Sequence, residues 1–275
     1  MKVSENALDH VVIHVGSNMD GAETVFHRLG FVLTPRGYHS TGSFNHLMMF
    51  GTDYLELLGL PEDGQHQRPD LANAPLGING LVFKTDDVDA TYAHLQSVGQ
   101  DGDPPRAFSR PVDLDGETKD AKFRTVTVRA DVFPGGRVYF CEHGTPELVW
   151  RPEWQHHENG TAAVPEFVVC SGAPEQEVEE FAKLLDGMVK NGAVAFDGGK
   201  VTVLSDADYA ERYGDLASTR GDRASIFGAL VFKTTERVAL NGILDVGADG
   251  VECEIEADRT LVRISDFDAV IEFVD

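Results

Sequence analysis

Leu81-Val82-Phe83-Lys84-Thr85 recurs as Leu230-Val231-Phe232-Lys233-Thr234, an offset of 230 − 81 = 149 residues, and this pairing decides the architecture. Each copy is followed by a helical stretch and a glycine turn, Val98-Gly99-Gln100-Asp101-Gly102 and Val246-Gly247-Ala248-Asp249-Gly250, offset by 246 − 98 = 148. A weaker echo pairs Val11-Val12 with Val168-Val169. The chain therefore reads as two related halves.

A smaller unit recurs inside each half. Leu8 to Val15 alternates like a strand, Gly21 to Leu29 has helical apolar spacing closed by Gly30, and Phe31 to Thr34, Asn45 to Phe50 and Tyr54 to Leu60 follow as three strands. The order returns as strand Leu81 to Thr85, helix Asp87 to Val98, and strands near Arg106 to Val112, Lys122 to Ala130 and Arg137 to Cys141. The second half repeats it more loosely, from Phe167 to Ser171 through helix Pro174 to Leu185 and strands Ala193 to Phe196 and Lys200 to Leu204, to Ala269 to Val274. Polar residues Arg151 to Ala163 separate the halves. The expected fold is α+β: tandem βαβββ modules forming two paired-module half-barrel domains of curved sheet, residues 1–158 and 159–275, with helices outside.

Composition narrows the class. The 275 residues carry 23 Lys plus Arg against 46 Asp plus Glu, a formal net charge of −23 that repels nucleic-acid phosphates and anionic lipid. No apolar run approaches the roughly 20 residues that cross a bilayer. The opening residues do not read as a signal peptide, so the expected location is cytoplasmic. Cys141, Cys170 and Cys253 are widely separated, without CxxC spacing, and are expected to be reduced thiols.

Leu8-Asp9-His10-Val11, Leu29-Gly30-Phe31, Gly42-Ser43-Phe44-Asn45-His46 and Tyr54-Leu55-Glu56-Leu57-Leu58 resemble the glyoxalase-like branch of the vicinal oxygen chelate superfamily. His143-Gly144-Thr145-Pro146-Glu147-Leu148-Val149-Trp150-Arg151-Pro152 is similar to the closing motif of glyoxalase-like proteins. The likeness is good over residues 1–152 and architectural beyond. It implies a divalent ion held from the first and fourth strands of one module and the matching strands of its partner, acting as a Lewis acid. His10 falls at the first-strand position and Glu56 at the fourth; imidazole and carboxylate suit Zn, Fe, Mn, Ni or Co alike. The partner module departs from the pattern: Gly80 stands where relatives have a histidine, and Phe140 aligns nearest the second glutamate.

Residue patterning adds candidates. Alternation puts His10, Val12 and His14 on one strand face. Glu142 shares the strand parity of Phe140 and is the expected third metal ligand, whereas His143 is expected to face away. Glu56, among leucines, needs a cavity partner, because an unpaired buried carboxylate is costly. His46 is a candidate general base beside Glu56, weighed evenly against a histidine on a partly solvated face. Asn45, Tyr139 and His39, the last in a glycine-containing lid-like connection, are expected substrate contacts, with core packing and an exposed loop as the plain alternatives. His156-His157-Glu158 reads as solvated linker. The second half has Phe167 in the place of His10 and only Glu272 as a last-strand glutamate, so it is expected to brace the first half or support homodimer contacts.

Two functions compete. The first is a metal-dependent lyase, isomerase or dioxygenase acting on a small oxygenated metabolite. The second is a metal-free binding or sequestration protein similar to the bleomycin-resistance type, in which the acidic surplus favours cationic ligands. Metal-free catalysis by His10 or His46 with Glu56 is a third.

Overall fold

The computed structural model describes residues 6–114, 116–247 and 249–275. The first half runs β1 (Leu8–Gly16), α1 (Met19–Arg28), β2 (Gly37–Tyr38), β3 (Phe44–Met49), β4 (Tyr54–Gly59), α2 (Pro69–Ala72), β5 (Gly77–Lys84), α3 (Val88–Val98), β6 (Arg106–Leu114), β7 (Glu117–Thr127) and β8 (Arg137–His143). The second runs β9 (Thr161–Ser171), α4 (Pro174–Leu184), β10 (Val189–Lys190), β11 (Ala193–Phe196), β12 (Gly199–Leu204), α5 (Asp206–Tyr213), β13 (Ser225–Thr234), α6 (Arg237–Asp245), β14 (Val251–Ile255), β15 (Arg259–Ile264) and β16 (Ala269–Val274). No described helix is long and apolar enough to cross a membrane. All three cysteines are free.

Each half forms one eight-stranded mixed sheet, ordered β2-β3-β4-β1-β5-β8-β7-β6 and β10-β11-β12-β9-β13-β16-β15-β14. The fold is the expected α+β pair of curved half-barrels. The two pentapeptides lie on the central strands β5 and β13, at equivalent places in one strand order. In the first sheet the edges β2 and β6 come into contact, so the sheet nearly closes around a hollow.

Strand alternation sorts the side chains. Val11, Ile13 and Val15 of β1 face outward, into a core shared with the outer face of the second sheet and the helices. Phe83 meets Phe196, Phe31 meets Phe232, and Phe133 stacks on Phe181 with ring centroids 4.1 Å apart. His10, Val12 and His14 turn to the other face, and Val12 joins the apolar wall of the hollow.

Three expectations change. Phe31–Thr34 forms no regular strand: Phe31 packs in the shared core, Pro35 lacks the N–H a ladder needs, and β2 is the short Gly37–Tyr38 instead. The linker is anchored rather than solvated, for His157 Nδ1 accepts from Val32 N–H at 3.0 Å and Nε2 donates to the Met49 carbonyl at 2.9 Å. Buried Asn159 beside it donates to the Leu29 carbonyl at 2.7 Å. In the second half, Glu166 rather than Phe167 is the counterpart of His10, because Val82 pairs with His10 and its equivalent Val231 pairs with Glu166. Phe167 points into the shared core.

The inner face of the second sheet is covered by a helix. Tyr209 and Tyr213 of α5 are buried against that face. Arg212 on the same helix donates to Glu166 Oε1 at 2.9 Å and to Glu272 Oε2 at 3.0 Å, tying the two counterpart carboxylates together.

Candidate functional site

The first sheet encloses a cavity of about 1020 Å³. His10 and Glu56 both open onto it and are only 4% and 6% exposed. They converge because β1 and β4 run parallel side by side, with His10 opposite Tyr54 and Val12 opposite Glu56. His10 Nε2 lies 3.6 Å from Glu56 Oε2, and its ring stacks on Tyr54 at 4.5 Å.

Asp9 fixes the imidazole. Leu8 pairs with Phe83 and His10 with Val82, so Asp9 is the extra residue of a β-bulge, which re-aims a side chain that strict alternation would send outward. Asp9 Oδ1 accepts from His10 Nδ1 at 2.6 Å and from His143 Nε2 at 3.1 Å. Burial pushes the Asp9 carboxyl up, but His143 and His10 beside it outweigh that and hold it far below the usual carboxylate range. An ionised Asp9 can only accept, so His10 carries a proton on Nδ1, and its Nε2 turns to the cavity, 3.1 Å from the Tyr139 hydroxyl.

Burial raises the Glu56 pKa, while His10, His39 and the Asn45 amide more than offset this, with a net lowering. The Asn45 Nδ2 donates to Glu56 Oε1 at 2.6 Å. His39 lines the cavity, with Nδ1 2.9 Å from Ser43 Oγ, and burial brings its pKa down to about 4 against the opposing pull of Glu56. It is a neutral imidazole at physiological pH. Asn45, His39 and Tyr139, the expected substrate contacts, thus all border the cavity.

Two expected residues lie elsewhere. His46 alternates with Asn45 and points from β3 toward α1, where Nδ1 donates to the Thr34 carbonyl at 2.7 Å and Nε2 accepts from Arg36 at 3.2 Å. It does not line the cavity. Glu142 lies on the outer side of β8, where Oε2 accepts from Val88 N–H at 2.9 Å at the start of α3. Its parity with Phe140 was sound, but Phe140 belongs to the outer core, so both side chains leave the hollow. His143, expected to face away, is the one that reaches Asp9.

Strand register identifies the four positions from which the resemblance implies a metal. Tyr139 pairs with Val82 as Glu56 pairs with Val12, so Tyr139, not Phe140, stands in the place of the second carboxylate. Gly80, opposite Arg137 as His10 is opposite Tyr54, stands in the place of the second histidine. A Cβ at Gly80 would lie 2.7 Å from Val12 Cγ2, so no donor side chain fits there without a shift of the strand. Burial holds the Tyr139 phenol protonated, well above its ordinary range. Two donors, a glycine and a neutral phenol do not make the expected four-ligand site. Among the described residues, one group of three ligand-type side chains gathers within 4.8 Å: Asp9, Cys141 and His143. Asp9 already bonds both imidazoles there, and burial drives the Cys141 thiol pKa well up, which keeps the sulfur protonated.

Sequence reasoning missed Asp9 and the five arginines of the cavity wall, Arg68, Arg106, Arg110, Arg129 and Arg137. The bulge leaves no mark in periodicity. Arg110 could have been found, for it takes an inward place in the alternation Phe108, Arg110, Val112, Leu114. The net charge of −23 belongs to the whole chain, whereas the wall of this hollow sets these arginines beside the carboxylates Glu56, Asp70, Asp101 and Asp103.

The chain resembles several solved structures. A hypothetical protein from Staphylococcus aureus superposes with TM-score 0.66 at 14% identity, covering 97% of this chain and 98% of that one. A mutant of 4-hydroxymandelate synthase from Streptomyces coelicolor gives TM-score 0.56 at 14% identity, covering 98% and 92%. A xylose isomerase-like TIM barrel/4-hydroxyphenylpyruvate dioxygenase fusion protein gives 0.57 at 13% identity, covering 99% of this chain and 49% of that one. At such identity these likenesses speak for the fold alone. No curated protein matches the chain. The glyoxalase-like domain family matches residues 8–185, a span that takes in the whole first sheet, the bulged Asp9-His10 pair and Glu56, and the chain belongs to that family.

Proposed function

We propose that this chain is a small-molecule enzyme that binds an oxygenated metabolite in the first hollow and moves a proton on it, a lyase- or isomerase-type step. One observation carries the reading: Asp9 fixes His10 by a 2.6 Å hydrogen bond, and the cavity-facing Nε2 lies 3.6 Å from Glu56. Nε2 is the base. Asp9 holds the ring and stabilises the imidazolium that forms, and Glu56 3.6 Å away stabilises the same charge from the cavity side. The protonated Tyr139 hydroxyl can turn from Nε2 to an oxygen of the substrate where negative charge develops. No step passes through a metal, because the donors at the four positions do not suit one; dioxygenase chemistry of the metal-dependent kind is not part of the reading. The second half, its counterpart site closed by Arg212, acts as a brace.

The test follows exchange of α-protons for deuterium by NMR, across small 2-oxo acids, 2-hydroxy acids and their aldehydes in D2O. The wild-type chain is expected to exchange at least one of them, with a roughly 10²–10⁴-fold loss in His10→Ala, as for removal of a general base. Chelator should leave the rate unchanged. Exchange undiminished in His10→Ala, or abolished by chelator and restored by a divalent ion, contradicts the reading. Saturable ligand binding with no turnover would favour the sequestration alternative.

A further inference from the structure

Arg110 projects from β6 into the hollow and is 4% exposed. Among the described residues no carboxylate or other acceptor bonds to it, and its pKa is depressed by burial against only distant pulls from Tyr54 and Glu56. Arg137 donates from Nε to Asn79 Oδ1 at 2.8 Å, but its Nη2 is buried without a partner. The nearest carboxylate to Arg137, Asp70 at 3.6 Å, is already held by Arg68 through Nε at 3.0 Å and Nη2 at 2.8 Å. Five arginines and four carboxylates line the cavity; of these, Arg68 and Arg137 face Asp70, while Glu56 is taken up by His10 and Asn45, which leaves Arg110 without an anion.

A guanidinium set into a protein wall is costly to leave without an anion, because burial disfavours its charged form. The room for Arg110 is also built in. A Cβ at Gly37 on β2 would lie 2.5 Å from Asn45 Oδ1, 2.6 Å from Arg110 Nη1 and 2.7 Å from its Cδ, so Arg110 and Asn45 together rest in space that only glycine leaves open. The wall nearby carries Phe108 and Phe123, which exclude water and strengthen charge recognition.

We infer that Arg110 and Arg137, with Arg68 behind them, form an oxyanion subsite, and that the metabolite handled at His10 carries a carboxylate or phosphoryl group bound there. The planar fork of guanidinium matches either group through paired N–H···O bonds. This inference rests on the proposed function for its place beside His10, but its residues and its test are separate.

Isothermal titration of the full chain at low salt, with malonate, inorganic phosphate and uncharged malonamide, tests it. One anion is expected per chain, the tighter of the two naming the group, with malonamide not bound. Arg110→Met and Arg137→Met should each weaken binding at least tenfold, and Gly37→Ala should weaken it by crowding Arg110 and Asn45. The ligand-free Arg110→Met chain should melt no lower than wild type, because an unpaired buried charge has been removed. No binding of either anion, equal binding of malonamide, unchanged affinity in Arg110→Met, or lost binding together with a lower melting temperature overturns the subsite. Failure of the proton-transfer reading would appear instead as exchange indifferent to His10 while anion binding persists.

Discussion

At the residue scale the account hangs on Asp9, whose carboxylate serves two imidazoles from one oxygen. Asp9→Asn keeps the shape but can offer an N–H to His10 Nδ1, which favours the wrong tautomer; turnover should fall roughly 10²–10⁴-fold. The same change should destabilise the fold by about 1–3 kcal/mol, since two charge-assisted buried bonds are weakened, measured by denaturant unfolding. That His10, Glu56, Asn45 and Tyr139 border one cavity was legible in the sequence because alternation and resemblance both act on single positions, and His39 followed from its glycine-containing connection. Asp9 was not, because a bulge is a property of two paired strands. Glu142 and His143 were interchanged for a related reason: parity along β8 says which residues share a face but not which face is inside.

At the element scale, β5 passes so close to β1 at Gly80 that the expected histidine has no room. Gly80→Ala should cost about 1–3 kcal/mol by overpacking against Val12, read as a lower denaturant midpoint with an unchanged slope. The turn into β4 carries a second testable group. Burial raises the Asp53 carboxyl from 3.8 to about 7, while a hydrogen bond to Val164 of β9 and the charge of Lys84 oppose it. The folded chain therefore binds this proton more tightly than the unfolded chain, so the stability it lends is full below pH 3.8 and is lost as pH rises through about 7. Asp53→Asn should flatten that pH dependence and raise the melting temperature at pH 8; a variant that melts lower at pH 8 than wild type would refute the assignment. Most strands were legible from their alternation. The stretch Phe31–Thr34 was misread because its apolar residues serve the shared core, a use that looks like a strand in sequence.

At the scale of the whole molecule, two sheets of one strand order meet through a common outer core. The pentapeptide pair marked that likeness in the sequence, but nothing there told which hollow stays open, because closure depends on where α5 lays Tyr209, Arg212 and Tyr213. Phe133→Ala, removing the ring stacked on Phe181 across the two halves, should cost about 3–5 kcal/mol. Calorimetry should then show one transition moved to lower temperature; two separate transitions in the wild type would mean that the halves unfold independently. The acidic net charge and the arginines of the hollow likewise belong to different scales, and the proposed anion is matched to the hollow. The most direct measurement is a long-range ¹H–¹⁵N correlation spectrum of the His10 ring at pH 9, with and without a small dicarboxylate. A proton is expected on Nδ1, bonded to Asp9, with an unprotonated Nε2 whose signal moves when the anion enters. A proton on Nε2, or a ring that does not respond to the anion, would contradict it.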